Sequence, residues 1–188
     1  MRILGGEFKG RVLPTLEDKG CRPAMAKVRL ALFSMLEARG VTMSGATVLD
    51  VFAGTGSLGF EALSRGARLA WFLEKNKTLA RRIQENCGRL ELPRGSFRIL
   101  CGESQSLLSR QPAQRFNVVF VDPPYGQDLL APALELLITR QWLAPEAMVV
   151  AELEKDLELS NWPAALVLDT DRAYGQTRIC LWRHDVNG

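Results

Sequence analysis

Four consecutive residues, Asp122-Pro123-Pro124-Tyr125, are the part of this sequence best suited to chemistry. They follow the apolar run Phe116-Asn117-Val118-Val119-Phe120-Val121, which reads as a buried strand. Prolines cannot continue a central strand or donate an N–H, so the chain must leave the sheet at Asp122 in a stiff, extended conformation that fixes the Pro123 carbonyl. A carboxylate beside a fixed carbonyl can accept the two N–H bonds of an exocyclic amine on a nucleic-acid base. Such an amine is a poor nucleophile because its lone pair is delocalised into the ring. Two acceptors turn the nitrogen toward tetrahedral geometry, and their bonds strengthen as positive charge develops on it, which favours transfer of a methyl group to that nitrogen. Tyr125 would stack on the base and hold it in line. Read alone, Asp-Pro and Pro-Pro are also common turn punctuation.

The partner of such a site is a methyl donor, and Val48-Leu49-Asp50-Val51-Phe52-Ala53-Gly54-Thr55-Gly56-Ser57-Leu58-Gly59 reads as a strand, a glycine turn and a helix start. Glycines admit positive φ and close ligand approach, and the N–H groups of a new helix suit an anion. The letters Gly54 to Gly59 match GxGxxG, so a nicotinamide or flavin dinucleotide is one reading. Asp50 favours another. A carboxylate at the strand end repels a pyrophosphate but attracts an ammonium, and S-adenosylmethionine carries an ammonium and a sulfonium with no phosphate. Phe52, Ala53, Gly54, Thr55 and Gly56 would form its cradle. Glu74, followed by Lys75, ends the next apolar strand where a carboxylate could accept ribose hydroxyls, as in dinucleotide folds. Glu103, followed by Ser104, ends the third and could reach the adenine amine or cap the following helix.

Strand-like runs at residues 47–51, 69–73, 97–101, 118–121 and 148–152 must position these groups. They alternate with helical stretches at 58–64, 78–90, 104–109 and 129–139, which predicts an α/β domain with a mostly parallel sheet and helices on both faces. The runs at 165–168 and 178–182 have no helix between them, so the sheet should close in an antiparallel hairpin. Upstream, Arg2-Ile3-Leu4 and Arg11-Val12-Leu13 flank glycines and predict a β-hairpin. Val28, Leu32, Met35 and Leu36 recur at helical spacing within 25–37. Residues 1–40 therefore read as an extension of a methyltransferase domain at 41–188.

Composition narrows the remaining options. The chain has 188 residues, 47% hydrophobic and 24% charged, enough for one core. No apolar run approaches the roughly 20 residues of a membrane span, and the first residues lack the apolar core of a signal peptide, so a cytoplasmic address is expected. Cys21, Cys87, Cys101 and Cys180 have no CxxC pairing and read as reduced, mostly buried thiols; no metal site is expected. His184 is the sole histidine and reads as an exposed tail residue, which leaves no material for a histidine triad. Trp142, Trp162 and Trp182 read as packing groups. Residues 1–30 carry +4 and the remainder −1. A basic arm suits phosphates, although charge alone equally fits a merely solvated terminus.

The pair of motifs, Asp50-Val51-Phe52-Ala53-Gly54-Thr55-Gly56 and Asp122-Pro123-Pro124-Tyr125, resembles the class I amino-methyltransferases. With Arg2-Ile3-Leu4-Gly5-Gly6, Lys9-Gly10-Arg11, Arg22-Pro23 and the stretch from Phe52 to Gly66, nearly the whole chain resembles the RsmD family, which methylates the N2 amine of a guanine in bacterial small-subunit ribosomal RNA. The resemblance implies a Rossmann-like, seven-stranded sheet ending in an antiparallel hairpin. It implies cofactor contacts from Asp50 to Gly56 and at Glu74, and a base held by Asp122 to Tyr125. Ribosomal RNA or a small-subunit assembly intermediate would be gripped by Arg2, Lys9, Arg11, Arg22 and Arg29. Separately, a monomer is expected. One departure stands out: the family usually has Thr after Arg-Pro and acids further along the helix, where this chain has Ala24, Ala26 and Leu30. Other classes kept in view are a DNA or protein amino-methyltransferase, a non-catalytic RNA-binding assembly factor and a dinucleotide oxidoreductase.

Overall fold

The computed structural model describes residues 1–15, 23–124, 126–157 and 162–185. Its parallel strands are β1 (Thr47–Asp50), β2 (Leu69–Glu74), β3 (Phe97–Cys101), β4 (Phe116–Val121) and β5 (Leu143–Glu154), followed by β6 (Leu166–Tyr174) and β7 (Thr177–His184). The helices are α1 (Pro23–Glu37), α2 (Ser57–Ser64), α3 (Lys77–Arg89), α4 (Ser104–Leu108) and α5 (Leu130–Thr139). The seven strands form one sheet in the order β3-β2-β1-β4-β5-β7-β6, in which only β7 runs antiparallel to its two neighbours. This is the expected α/β, Rossmann-like class. The chain order reverses between β1 and β4, and the crevice at such a switch point is where α/β sheets bind ligands.

Side chains alternate across the central strands, except at Phe116, where β4 shifts register. Val48, Ala70, Phe72, Val118, Phe120, Met148 and Val150 share one core cluster with α1, α2 and α3. Leu49, Val51, Trp71, Leu73, Val119, Val121 and Val149 join α4 and α5 in another. Both faces are covered, which is why these strands read as continuous apolar runs. Trp142 and Trp182 are buried as expected, and the Trp142 Nε1–H donates to the carbonyls of Leu108 and Arg110 at 2.9 and 3.1 Å.

The N-terminal extension belongs to the first cluster through Ile3, Leu13, Val28 and Leu32. Its hairpin has a single ladder bridge, Arg2 to Val12, with backbone bonds from the Ile3 N–H to the Arg11 carbonyl, the Gly10 N–H to the Ile3 carbonyl and the Leu13 N–H to the Met1 carbonyl, while the turn between the arms bonds α2. The Leu4 N–H donates to Glu61 Oε2 (2.9 Å), the Phe8 N–H to Ser64 Oγ (2.9 Å) and the Glu7 N–H to the Ser64 carbonyl (2.6 Å). Gly6 makes this contact possible: at φ +74°, a Cβ there would sit 1.7 Å from the Ser64 carbonyl oxygen. Glu61, 1% exposed, is balanced by Arg65 at 3.0 Å and Arg29 at 3.6 Å.

Three expectations change. His184 is no tail residue: β7 runs through it, and its Nδ1 lies 2.8 Å from the Ala144 carbonyl oxygen. β6 extends across Asp169-Thr170-Asp171-Arg172, which look like a loop in sequence, because Arg39 bonds Asp169 and Thr170 while Arg178 bonds Asp171. β5 begins at Leu143 rather than Met148, since Phe116 pairs with Leu143 before a register shift brings Val118 to Met148. Cys87 and Cys180 are buried thiols, Cys101 is exposed, and Cys21 lies outside the described residues. Among those residues no helix is long and apolar enough to cross a membrane, and no group of three or more His, Cys, Asp or Glu is placed to hold a metal.

Candidate active site

The strand alternation extends to the carboxyl edge of the sheet. Asp50, Glu74, Asp122 and Glu152 have the same parity as Val48, Phe72, Phe120 and Val150, so all four acids turn toward the face covered by the N-terminal extension. Across the neighbouring strands β2, β1, β4 and β5 they form a row. Beside it opens a cavity of about 760 Å³, lined by Phe52 and Gly54 of the glycine loop, by Glu74, Lys75, Glu103, Ser104, Asp122, Pro123, Pro124 and Glu152, and by the β6–β7 turn. That volume suits a drug-sized ligand.

The glycine loop is held from below by two of these acids. Asp50 is 1% exposed and does not line the cavity; its Oδ2 accepts the Gly59 N–H at 3.1 Å. It thus supplies, from within the protein, the anion expected at the start of α2. Burial pushes its carboxyl up to about 7, opposed by the Gly59 bond and reinforced by the charge of Glu74. Gly59 must be glycine for a packing reason: a Cβ would lie 2.2 Å from the Phe72 ring. Glu74 accepts the Gly54 N–H through Oε2 and the Asn76 N–H through Oε1, both at 2.7 Å. The loop N–H that a pyrophosphate would use is therefore already engaged by a carboxylate. Ala53, Thr55 and Gly56 shape the turn without reaching the cavity wall, and the Thr55 hydroxyl donates to Met1 Sδ at 3.8 Å.

Glu103 caps nothing with its side chain, which is 69% exposed on the cavity rim, 4.0 Å from Lys75 Nζ. Lys75 is the one basic residue among the described residues of the wall, against Glu74, Glu103, Asp122 and Glu152. A cavity so lined attracts a cationic ligand and repels a phosphate. These residues fit the ammonium and sulfonium of S-adenosylmethionine better than any dinucleotide.

Asp122 leaves the sheet next to Glu152, Pro123 is buried, and Pro124 is exposed at the mouth. Tyr125 lies outside the described residues. Desolvation, with the charges of Glu152 and Asp50, holds the Asp122 carboxyl well above the usual carboxylate range. Such a group gains most from a neighbouring positive charge, which is what an amine under methylation develops.

Of the basic residues expected to meet RNA, Arg2, Lys9 and Arg11 are exposed on the arm, with Arg2 Nη1 donating to the Gly10 carbonyl and Arg11 lying over the Phe8 ring. Arg22 lies outside the described residues. Arg29 corrects the expectation: it is 9% exposed, its Nη2 donates to the Arg2 carbonyl at 2.6 Å, and it neutralises Glu61. An arginine so enclosed braces the arm and is not placed to grip a phosphate. Among the departures, Leu30 is exposed and Ala26 half-buried, while the Ala24 side chain lies outside the described residues.

Sequence reasoning passed over Glu152, Val28 of α1, Leu129 and the turn Tyr174-Gly175-Gln176-Thr177, all on the cavity wall. For Glu152 the sequence offers only an acid after an apolar run, with no turn residue to mark it, because β5 continues to Glu154. For the turn there was no signal, because its place beside the cavity depends on the β5–β7 pairing.

Known proteins are similar to this chain over most of its length. The family described as "Conserved hypothetical protein 95" matches residues 1–183. "Ribosomal RNA small subunit methyltransferase D" of Escherichia coli K12 is 35% identical over 188 residues, 100% of this chain and 92% of its own. The protein of the same name from Haemophilus influenzae is 39% identical over 166 residues, covering 86% and 84%. A solved putative methyltransferase from Escherichia coli superposes with a TM-score of 0.86 at 34% identity over 98% of both chains.

Proposed function

The chain belongs to the conserved hypothetical protein 95 family, and from that premise we propose that it transfers a methyl group from S-adenosylmethionine to the exocyclic N2 amine of a guanine in small-subunit ribosomal RNA. The observation that carries this reading is the row of strand-end carboxylates running to Asp122 beside an acid-lined cavity. The Escherichia coli relative named for small-subunit ribosomal RNA methylation matches the whole of this chain.

S-adenosylmethionine, when bound, supplies an electrophilic methyl on a sulfonium. Glu74, Glu103 and Ser104 are the groups that would hold its polar parts, with Phe52 and the Gly54 backbone closing over it. Asp50 acts from beneath, fixing the start of α2 and contributing negative charge. At the other end of the row, the Asp122 carboxylate and the Pro123 carbonyl accept the two amine N–H bonds, and Tyr125 stacks on the base. As the nitrogen becomes cationic, Asp122 stabilises it in a site where water competes poorly. The substrate is ribosomal RNA or an assembly intermediate, in the cytoplasm.

The exposed arm residues Lys9 and Arg11 serve as phosphate contacts. Replacing both with alanine should weaken binding to small-subunit RNA about tenfold near physiological salt and reduce the log–log salt slope by roughly one to two. A slope unchanged in filter-binding or anisotropy titrations would remove the arm from the interface. The activity itself is tested by mass-spectrometric mapping of ribosomal RNA from cells lacking the chain, followed by methylation of that RNA with purified protein and labelled cofactor. Loss and restoration of one N2-methylguanine is the expected outcome. Labelling of adenine or of protein would redirect the assignment, and RNA binding without transfer would leave an assembly factor.

A further inference from the structure

Adenine, cytosine and guanine all carry an exocyclic amine, so acceptors for the amine alone cannot tell them apart. What separates them is the neighbouring ring nitrogen. Guanine has a donor, N1–H, beside its N2 amine; adenine N1 and cytosine N3, beside theirs, are bare acceptors. Asp122 and Pro123 therefore leave the choice of base to another group, reading the rest of the Watson–Crick edge.

Glu152 occupies the place where that group is needed. β4 and β5 run parallel with Val121 opposite Ala151, so residues 122 and 152 emerge side by side, with matching parity, onto the same cavity. Glu152 is half-buried, and its carboxylate accepts no hydrogen bond from the described residues. Desolvation pushes its carboxyl up, while the nearby Arg29 opposes that shift and favours the ionised form. Asp50 and Glu74 differ, being engaged by backbone N–H groups.

We infer that Glu152 selects the base: its carboxylate accepts guanine N1–H while Asp122 and Pro123 hold the N2 amine, and it repels the lone pair that adenine or cytosine would present there. The inference rests on the methyl-transfer reading above and deepens it. A role as proton acceptor explains less, because a methylated aryl ammonium is acidic enough to lose its proton to water at the cavity mouth. Reading an edge, in contrast, needs an acceptor fixed beside the amine site, and strand pairing fixes this one.

The test uses RNA fragments synthesised with either guanine or 2,6-diaminopurine at the mapped target; diaminopurine keeps the C2 amine but has a bare N1. The wild-type protein should prefer guanine in kcat/KM by about 10- to 100-fold, the value of one hydrogen bond to a charged group. In Glu152→Gln, whose amide can donate to a bare N1, most of that preference should vanish, with guanine turnover falling and diaminopurine turnover maintained or raised. Equal use of both RNAs by the wild-type protein overturns the inference without recourse to any variant. So does a Glu152→Gln protein that slows on both in proportion. If the wild-type protein methylates neither RNA, the methyl-transfer reading itself fails, and this inference with it.

Discussion

Replacing Asp122 with alanine should lower the single-turnover rate of methyl transfer by about 10²- to 10³-fold while leaving cofactor binding little changed. The loss has two parts. One acceptor for the amine disappears, so the nitrogen keeps its conjugated, planar geometry, and the carboxylate no longer faces the charge that grows on it. Asp122→Asn should recover part of the first and little of the second, since its amide oxygen still accepts but carries no full charge. A pH profile separates them. Burial and the neighbouring Glu152 and Asp50 raise the Asp122 carboxyl, and only the ionised form is useful, so wild-type kcat/KM should climb with pH as Asp122 loses its proton. In the Asn protein the limb should shrink to the part contributed by Glu152, whose carboxyl burial also raises. Methyl transfer by Asp122→Ala within a few-fold of wild type would remove Asp122 from the reaction.

Where the row of acids was legible from sequence alone, a local rule exposed it. Asp50 precedes a glycine turn, Glu74 precedes Asn76, which caps α3 by accepting from Thr78 and Leu79, and Asp122 precedes two prolines, so each strand end carries its own punctuation. Glu152 has none. β5 continues to Glu154 because β7 pairs with it as far as Thr177, and a strand that runs on conceals the position where its neighbour stops. Arg29 departs from its sequence reading for a related reason. Its type and its place in a basic stretch suggest phosphate binding, but it is buried against Glu61, thirty-two residues away on α2, and that ion pair is a tertiary fact. Asp50 is a middle case: its location was legible, its orientation toward Gly59 was not.

That orientation bears on a general point about glycine loops. The letters GxGxxG permit either a pyrophosphate or an internal carboxylate at the helix start, because both satisfy the same N–H groups. Here the Gly54 and Gly59 N–H groups bond Glu74 and Asp50. The loop is thus already supplied with negative charge, and its exterior is suited to a cation. The ligand class follows from which side of the loop carries the anion, something that the pattern of glycines does not encode.

Holding Asp50 in place should make the free protein less stable as pH rises, and Asp50→Asn should remove much of that dependence. Its carboxyl is raised to about 7 in the folded chain, whereas the unfolded chain titrates near 4. Between these values the folded state binds the extra proton, so unfolding stability falls with increasing pH and levels off once the folded group has also ionised. The gap of about three units corresponds to a loss of about 4 kcal/mol between pH 4 and pH 8, or roughly 10 °C in melting temperature for a chain of this size. Asp122 and Glu152 shift stability in the same sense, so the measure is the difference between wild type and variant, read by thermal unfolding at several pH values without cofactor. Asn is neutral throughout and keeps an oxygen for the Gly59 N–H, so its advantage should grow from near zero at pH 4 to its full size by pH 8. Curves that stay parallel across this range would show that Asp50 is ionised in the folded protein at low pH. Saturating S-adenosylmethionine should narrow the difference, because a cation beside the row favours the carboxylate and stabilises the wild-type form that the unliganded fold disfavours.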